Sequence, residues 1–269
     1  MIIDFHTHIF PDKIAKPTID TLAVNSDAKA YTDGTRDSLV ASMREAHVDL
    51  SVILPVVTRP GQFQSVNRFA EEITAREFFG GEPNLISFGG IHPETGNYKQ
   101  EIDDIAAMGL KGIKLHPDYQ KLFIDDIKYL RIIDRAAEKG LIISVHGGRD
   151  VGLPGEIHCT PRRVQNLLKQ LDPDKLVIAH MGGYDCWDEV EEYLVGRKLY
   201  FDTGYSLGIM PDDQFLRIAR EHGTDKILFA TDSPWSGQKE NIECIRRLKL
   251  KPEEEEAVFS GNAVRLLKV

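Results

Sequence analysis

Short runs of β-branched and other apolar residues recur along the chain, and each is followed by a longer stretch whose apolar residues fall three and four apart. The first pattern predicts buried strands and the second amphipathic helices, so their alternation predicts an α/β fold with a parallel sheet and helical crossovers. Strands are expected over Met1 to His6, Leu50 to Val57, Leu85 to Ile91, Lys111 to His116, Leu141 to His146, Lys175 to His180, Lys198 to Thr203 and Lys226 to Asp232. Helical periods cover Arg36 to Ala46, Gln62 to Phe79, Asp126 to Lys139, Pro161 to Leu171 and Asp212 to His222. Eight βα units in about 250 residues is the size of a closed (β/α)8 TIM barrel, whose reactive face lies at the C-terminal ends of the strands. A doubly wound open sheet competes, but that fold usually carries a Gly-rich loop after its first strand. Here the first strand ends in His6-Thr7-His8.

The segment from Ile9 to about Thr35 lacks clear periodicity and contains Pro11, Pro17 and Gly34. It is expected to be a long first βα loop able to roof a site. Near the other end, Pro252 and the acidic run Glu253 to Glu256 suit a helix start, with Gly261 as its stop. No repeat, low-complexity stretch or linker interrupts the chain, so a single domain over residues 1–269 is expected.

Charge and cysteine usage narrow the function classes. With 33 basic and 42 acidic residues the formal net charge is -9, which offers no basic face to a nucleic acid. No apolar stretch approaches the roughly 18 residues of a membrane span, and Met1-Ile2-Ile3-Asp4 has no signal-peptide character. Three widely spaced cysteines, Cys159, Cys186 and Cys244, fit neither a disulfide framework nor a Cys-x-x-Cys metal site. A soluble, cytoplasmic protein with a small-molecule partner is expected, with room for a homo-oligomer.

The chemistry lies where the apolar strands finish. Their ends carry His6 and His8, His116, His146, His180 and Asp232, and in a parallel barrel all such ends gather at one mouth. One histidine taken alone is more often a hydrogen-bonded core or surface residue than a ligand. The set is a stronger signal than its members. Side chains alternate along a strand, so His6 and His8 share a face and can grip one ion together. Imidazole nitrogens with a carboxylate suit Zn²⁺, the default assignment, and also Mn²⁺, Fe²⁺ or Co²⁺.

The chain resembles the amidohydrolase superfamily of metal-dependent barrels. The likeness is nearest to its amidohydrolase-related branch, which includes aminocarboxymuconate-semialdehyde and resorcylate-type decarboxylases. It is carried by Asp4-Phe5-His6-Thr7-His8-Ile9-Phe10-Pro11, Gly112-Ile113-Lys114-Leu115-His116-Pro117, Val145-His146-Gly147-Gly148-Arg149, Ala179-His180-Met181-Gly182-Gly183, Ala230-Thr231-Asp232-Ser233-Pro234-Trp235 and Gly261-Asn262-Ala263-Val264-Arg265-Leu266-Leu267. The resemblance implies that His6, His8, His146 and Asp232 bind a single metal and that His180 is the catalytic histidine beside the activated water. Binuclear superfamily members commonly bridge two metals with a carbamylated lysine at the fourth strand end, where this chain has His116. Lys114, two residues earlier, is expected roughly 6 to 7 Å deeper, below the metal layer. One metal is therefore expected, with a second on His116 and His180 left open.

Among the remaining residues, His116, Arg149 and Trp235 are expected to bind substrate. For Arg149 a carboxylate clamp and a structural salt bridge weigh equally, and Trp235 serves equally well as a pocket wall or as loop packing. His92 is as suited to a solvated strand end as to the mouth, Cys159 is expected to be an ordinary thiol, and His47 and His222 structural. The expected activity is hydrolysis of a small amide, lactone or ester-like substrate, with Asp232 as general base and His180 orienting the water or steadying the oxyanion. Non-oxidative decarboxylation of a small unsaturated or aromatic carboxylic acid is the alternative. A binding module or structural metal site is the weaker third reading, because structural zinc is closed by four protein ligands.

Overall fold

A computed structural model describes residues 1–74 and 84–269. Residues 75–79 of the helix expected over Gln62 to Phe79 lie outside that range. The strands are β1 (Ile3–Thr7), β2 (Leu50–Ile53), β3 (Asn84–Ser87), β4 (Gly89–Gly90), β5 (Gly112–Leu115), β6 (Ile142–Val145), β7 (Leu176–Ile178), β8 (Tyr200–Asp202) and β9 (Ile227–Leu228). Segments β3 and β4 together occupy the one strand expected over Leu85 to Ile91, interrupted at Phe88. All neighbours pair in parallel, in the orders β1-β2-β3 and β4 through β9. The last strand reaches back to the first: Phe5 N donates to Phe229 O at 2.9 Å and Asp232 N to His6 O at 2.8 Å, with a parallel bridge from Thr7 to Ser233. The result is the TIM barrel that the alternation predicts.

The apolar strands form two layers of core. Ile3, Phe5, Val52, Phe88, Ile142, Val177 and Leu228 form one buried cluster with Ala263, Leu266 and Leu267 of the last helix. A larger cluster lies between strands and helices. Helix starts follow local chemistry. Thr35 accepts from Ser38 N before the helix Arg36–Ala46, and Asp126 accepts from Lys128 N before Ile127–Glu138. Thr160 accepts from Arg163 N with Pro161 at the first helical position. Each side-chain oxygen satisfies an amide that the helix itself leaves unpaired.

Three features depart from the expectations. The segment after β1 is not all loop: α1 (Asp12–Ser26) is a helix despite Pro17, burying Ala15 and Ile19. Pro17 removes one amide donor and Thr18, Thr21 and Asn25 dilute the apolar stripe, which hides the period in the sequence. Near the end, Gly261 does not stop a helix. Residues Ala257–Gly261 form a wide turn continuing into Asn262–Leu267, and Val258 O in that turn accepts from Phe229 N at 3.0 Å. Finally, β1 carries an irregularity: Asp4 pairs with Ser51 but Thr7 with Ile53, so one extra residue is accommodated between them. Strict alternation would put Asp4 and His6 on one face, yet the shift sends Asp4 toward the outer helix Gln238–Arg247 and His6 into the mouth. Among the described residues no helix is long and apolar enough to cross a membrane.

Candidate metal centre

Strand ends and the loops after them bring three ligating atoms together. His6 Nε2 lies 3.1 Å from His8 Nε2 and 3.3 Å from Asp232 Oδ1, and His8 Nε2 lies 3.0 Å from the same oxygen. His6 is a neutral imidazole, because burial and then the neighbouring Lys114 hold its pKa down at about 4. Its Nδ1 donates to Asp202 Oδ2 at 3.0 Å, which leaves the Nε2 lone pair aimed at the cluster. Burial pushes the Asp232 carboxyl up, but His6 and His8 outweigh it and hold the group at about 2. Two imidazole nitrogens and a carboxylate oxygen converge on one point, where His8 Nε2 donates to Asp232 Oδ1 and Lys114 Nζ to His6 Nε2; a divalent cation can take the place of those protons on the same three atoms. The donor set therefore fits a metal ion.

The sequence gives no direct sign of Asp202. It lies in the strand expected over Lys198 to Thr203, completely buried, and besides His6 it accepts from His180 N and Gly204 N at 3.0 Å each. Its pKa is lowered: burial pushes it up, and His6 outweighs that. Asp202 thus fixes the tautomer and orientation of one ligating ring, as carboxylates commonly do behind metal-bound histidines.

His146 stands apart from the convergent trio. Its Nδ1 is 2.9 Å from His180 Nε2, and its ring stacks on His116 at 4.1 Å with an interplanar angle of 11°. The tautomers follow from the partners. His180 Nδ1 donates to Gly204 O at 2.7 Å, so His180 Nε2 accepts from His146 Nδ1. His146 Nε2 is then a bare lone pair, and it is buried without a hydrogen-bond partner. Burial holds the pKa values of both His146 and His116 well below the ordinary imidazole value. An orphaned acceptor at the mouth is an open position for a cation or a substrate donor.

His116 is engaged at both nitrogens. Nδ1 accepts from Tyr119 N at 3.4 Å, capping a short helix, and Nε2 faces Asp150 Oδ2 at 3.2 Å. His116, His146 and Asp150 bring ligating atoms within 4.8 Å of one another, but stacked parallel rings direct their in-plane lone pairs along parallel lines. One ion cannot take both without rotation. In this arrangement, the second metal left open on His116 and His180 has no free nitrogen on either ring. Lys114, in turn, lies higher than the strand spacing suggests. Its extended side chain brings Nζ within 3.2 Å of His6 Nε2, and burial lowers its pKa to about 8.

Two of the site residues occupy left-handed backbone, His180 with φ 61° and Asp232 with φ 63°. This conformation costs a non-glycine residue about 1 kcal/mol or more. It is held by Asp202 Oδ1 on His180 N, and by Asp232 N donating to His6 O while Asp232 O accepts from Trp235 N. The strain turns both side chains inward.

The remaining candidates divide. Arg149 and Trp235 line the cavity above the centre, and Arg149 Nε is bound to Asp185 Oδ2 at 2.9 Å. Arg149 thus makes a solvent-exposed salt bridge while lining the cavity. His222 is buried between Gly196 N and Leu199 O and stacks on Phe201, a structural role. His92 accepts from Glu94 N. Cys159 is fully buried, and burial raises its thiol pKa far above the ordinary value, so it is inert.

A family model described as amidohydrolase matches residues 3–269. No curated protein matches the sequence. Solved structures similar over the whole length include 5-carboxyvanillate decarboxylase from Sphingomonas paucimobilis, at 16% identity and a TM-score of 0.68, covering 100% of this chain and 99% of that one. 2,6-Dihydroxybenzoate decarboxylase from Rhizobium has 13% identity and a TM-score of 0.71, covering 99% and 98%. A probable 2-pyrone-4,6-dicarboxylic acid hydrolase from Acinetobacter baumannii has 16% identity and a TM-score of 0.65, covering 100% and 99%. At these identities the likeness shows the fold.

Proposed function

The chain belongs to the amidohydrolase family, and from that premise we propose that it is a metal-dependent hydrolase of a small amide, lactone or ester-like substrate. The observation that carries this reading is the convergence of His6 Nε2, His8 Nε2 and Asp232 Oδ1 within 3.3 Å of one another, with Asp202 behind His6. We assign Zn²⁺ to these three side chains, with His146, whose buried Nε2 has no partner, as the fourth protein donor; Mn²⁺, Fe²⁺ and Co²⁺ suit the same atoms. A divalent ion held there supplies positive charge that acidifies water and polarises a scissile carbonyl.

The chain's own groups handle protons and position. Asp232 Oδ1 meets both first-strand imidazoles, so the carboxylate's other oxygen is the one to take a proton from the attacking water and pass it to the leaving group. His180 is steadied by Gly204 O at Nδ1 and accepts from His146 Nδ1 at Nε2; opening of the His146 bond would let Nε2 hold a proton and orient the water. The Asp202 carboxylate keeps the His6 proton on Nδ1 throughout. Trp235 walls the substrate against this floor, and His116, its Nε2 held by Asp150, lines the same space.

Non-oxidative decarboxylation is the second reading, favoured by decarboxylases among the structural neighbours. Arg149, the cation suited to holding a substrate carboxylate, lines the cavity and is bound to Asp185 through Nε in a solvent-exposed bridge. Incubating metal-replete protein with lactones, amides and aromatic or unsaturated carboxylic acids, while following acid release and CO₂ together, separates the two. Acid release without CO₂ is expected; CO₂ evolution would overturn hydrolysis in favour of decarboxylation.

A further inference from the structure

A cavity of about 490 Å³ opens above the centre, within the range of pockets that enclose small organic ligands. Its two ends differ in chemistry. The floor is the cluster of histidines, Asp232 and Lys114. The far wall comes from α1, whose Ile14, Thr18 and Leu22 line the cavity together with Phe10 and with Val66 and Phe69 of the helix Phe63–Thr74. Residues four apart stack on one helical face, so Ile14, Thr18 and Leu22 make a stripe two steps of four residues in length, roughly 12 Å long.

No residue of this wall carries a charge. Among the described residues lining the cavity, the only lysine and arginine are Lys114 and Arg149. Lys114 lies on the floor against His6, and Arg149 is bound at Nε to Asp185. A second carboxylate lying along the α1 wall would be desolvated against hydrocarbon with no wall cation to meet it, which is strongly unfavourable. Ile14 is 49% exposed although it faces this space, so the stripe has apolar surface left for a ligand to cover.

We infer that the substrate carries an uncharged, unbranched alkyl arm, which lies along the α1 stripe while its carbonyl sits on the metal-centre floor. The inference rests on the hydrolytic reading for the carbonyl end, and the arm is specified by the wall alone. Each methylene buried on the stripe strengthens binding about fourfold.

The arm and the chemistry are tested separately. Binding of 1-butanol, 1-hexanol and 1-octanol to the full chain is measured by calorimetry, alongside adipate and suberate, and the γ-lactones bearing methyl, butyl and hexyl side chains are assayed for hydrolysis. Alkanol affinity is expected to rise about fourfold per methylene, and Leu22→Gln is expected to flatten that rise. Both diacids are expected to bind more weakly than the alkanol of equal length. A flat alkanol series, or tighter binding of the diacids, overturns the inference whether or not the lactones react. A steep series with no lactone turnover supports the arm and counts against hydrolysis, whereas turnover independent of chain length sustains hydrolysis and overturns the arm. The wild-type series decides the matter even where Leu22→Gln is unstable.

Discussion

Two polar networks are buried on opposite sides of β1, only two residues apart. On one side Asp4 accepts from Thr231 Oγ1 at 2.6 Å, Gln238 Nε2 at 2.8 Å and Thr231 N at 2.9 Å. Gln238 in turn accepts from Ser42 Oγ at 2.8 Å. Every one of these contacts matches a donor with an acceptor, which is how a polar group is buried at least cost. On the other side His8 Nε2 donates to Asp232 Oδ1 and Lys114 Nζ to His6 Nε2, but nearby the His146 Nε2 lone pair has no partner. Both networks hold a buried aspartate, but only the second leaves a buried acceptor unsatisfied. Complementarity within the chain marks the Asp4 network as structural, and the unpaired His146 nitrogen leaves the other open to a cation or a substrate donor.

Substitutions can break that contrast, and Asp232→Asn has the largest expected effect. The amide is nearly isosteric, so the fold should persist, while loss of the proton acceptor should lower turnover by about 10² to 10⁴-fold. A variant keeping more than about a tenth of the wild-type rate would remove Asp232 from the proton path. Next comes Asp202→Asn, which no longer enforces the Nδ1 proton of His6. Metal affinity, measured by chelator competition, should fall about 10 to 100-fold, and an unchanged affinity would reduce Asp202 to packing. The smallest effect belongs to the structural side. Gln238→Leu deprives Asp4 of one donor and should cost about 1 to 3 kcal/mol in urea denaturation, with metal content retained. Burial pushes Asp4 up to about 7 and its hydrogen bonds, Gln238's among them, pull it back. The deficit should therefore widen as pH rises through 7 and Asp4 ionises, and shrink toward pH 5. Loss of metal in this variant would dissolve the distinction between the two networks.

The strand ends were legible because histidine and aspartate interrupt apolar runs at positions that a parallel barrel must bring together. The side of β1 on which each residue falls was not legible. Alternation assigns Asp4 and His6 to one face, and the register shift between Asp4 and Thr7 separates them. Asp202 was hidden because a carboxylate within a strand pattern resembles any other polar strand position until its neighbour across the barrel is known. Lys114 was misplaced by counting backbone rise alone, since a long side chain can climb back toward the mouth. The α1 helix was missed because Pro17 and scattered threonines weaken its period, although Ala15 and Ile19 do pack inward. Arg149 was undecidable in sequence because its partner Asp185 lies in a different loop.

The closure of the barrel between its first and last strands also bears on how the protein is made. His8 and Asp232, whose atoms meet at 3.0 Å, are separated by 224 positions in the chain, and β1 is hydrogen-bonded to the segment around Phe229 to Ser233. During synthesis His6 and His8 emerge early and must wait, unpaired on one flank, until almost the whole polypeptide has left the ribosome. Contacts of such long range form late and slowly. A ribosome-stalled chain ending before Asp232 lacks one of the three converging atoms, so the proposed centre is assembled only when the barrel closes.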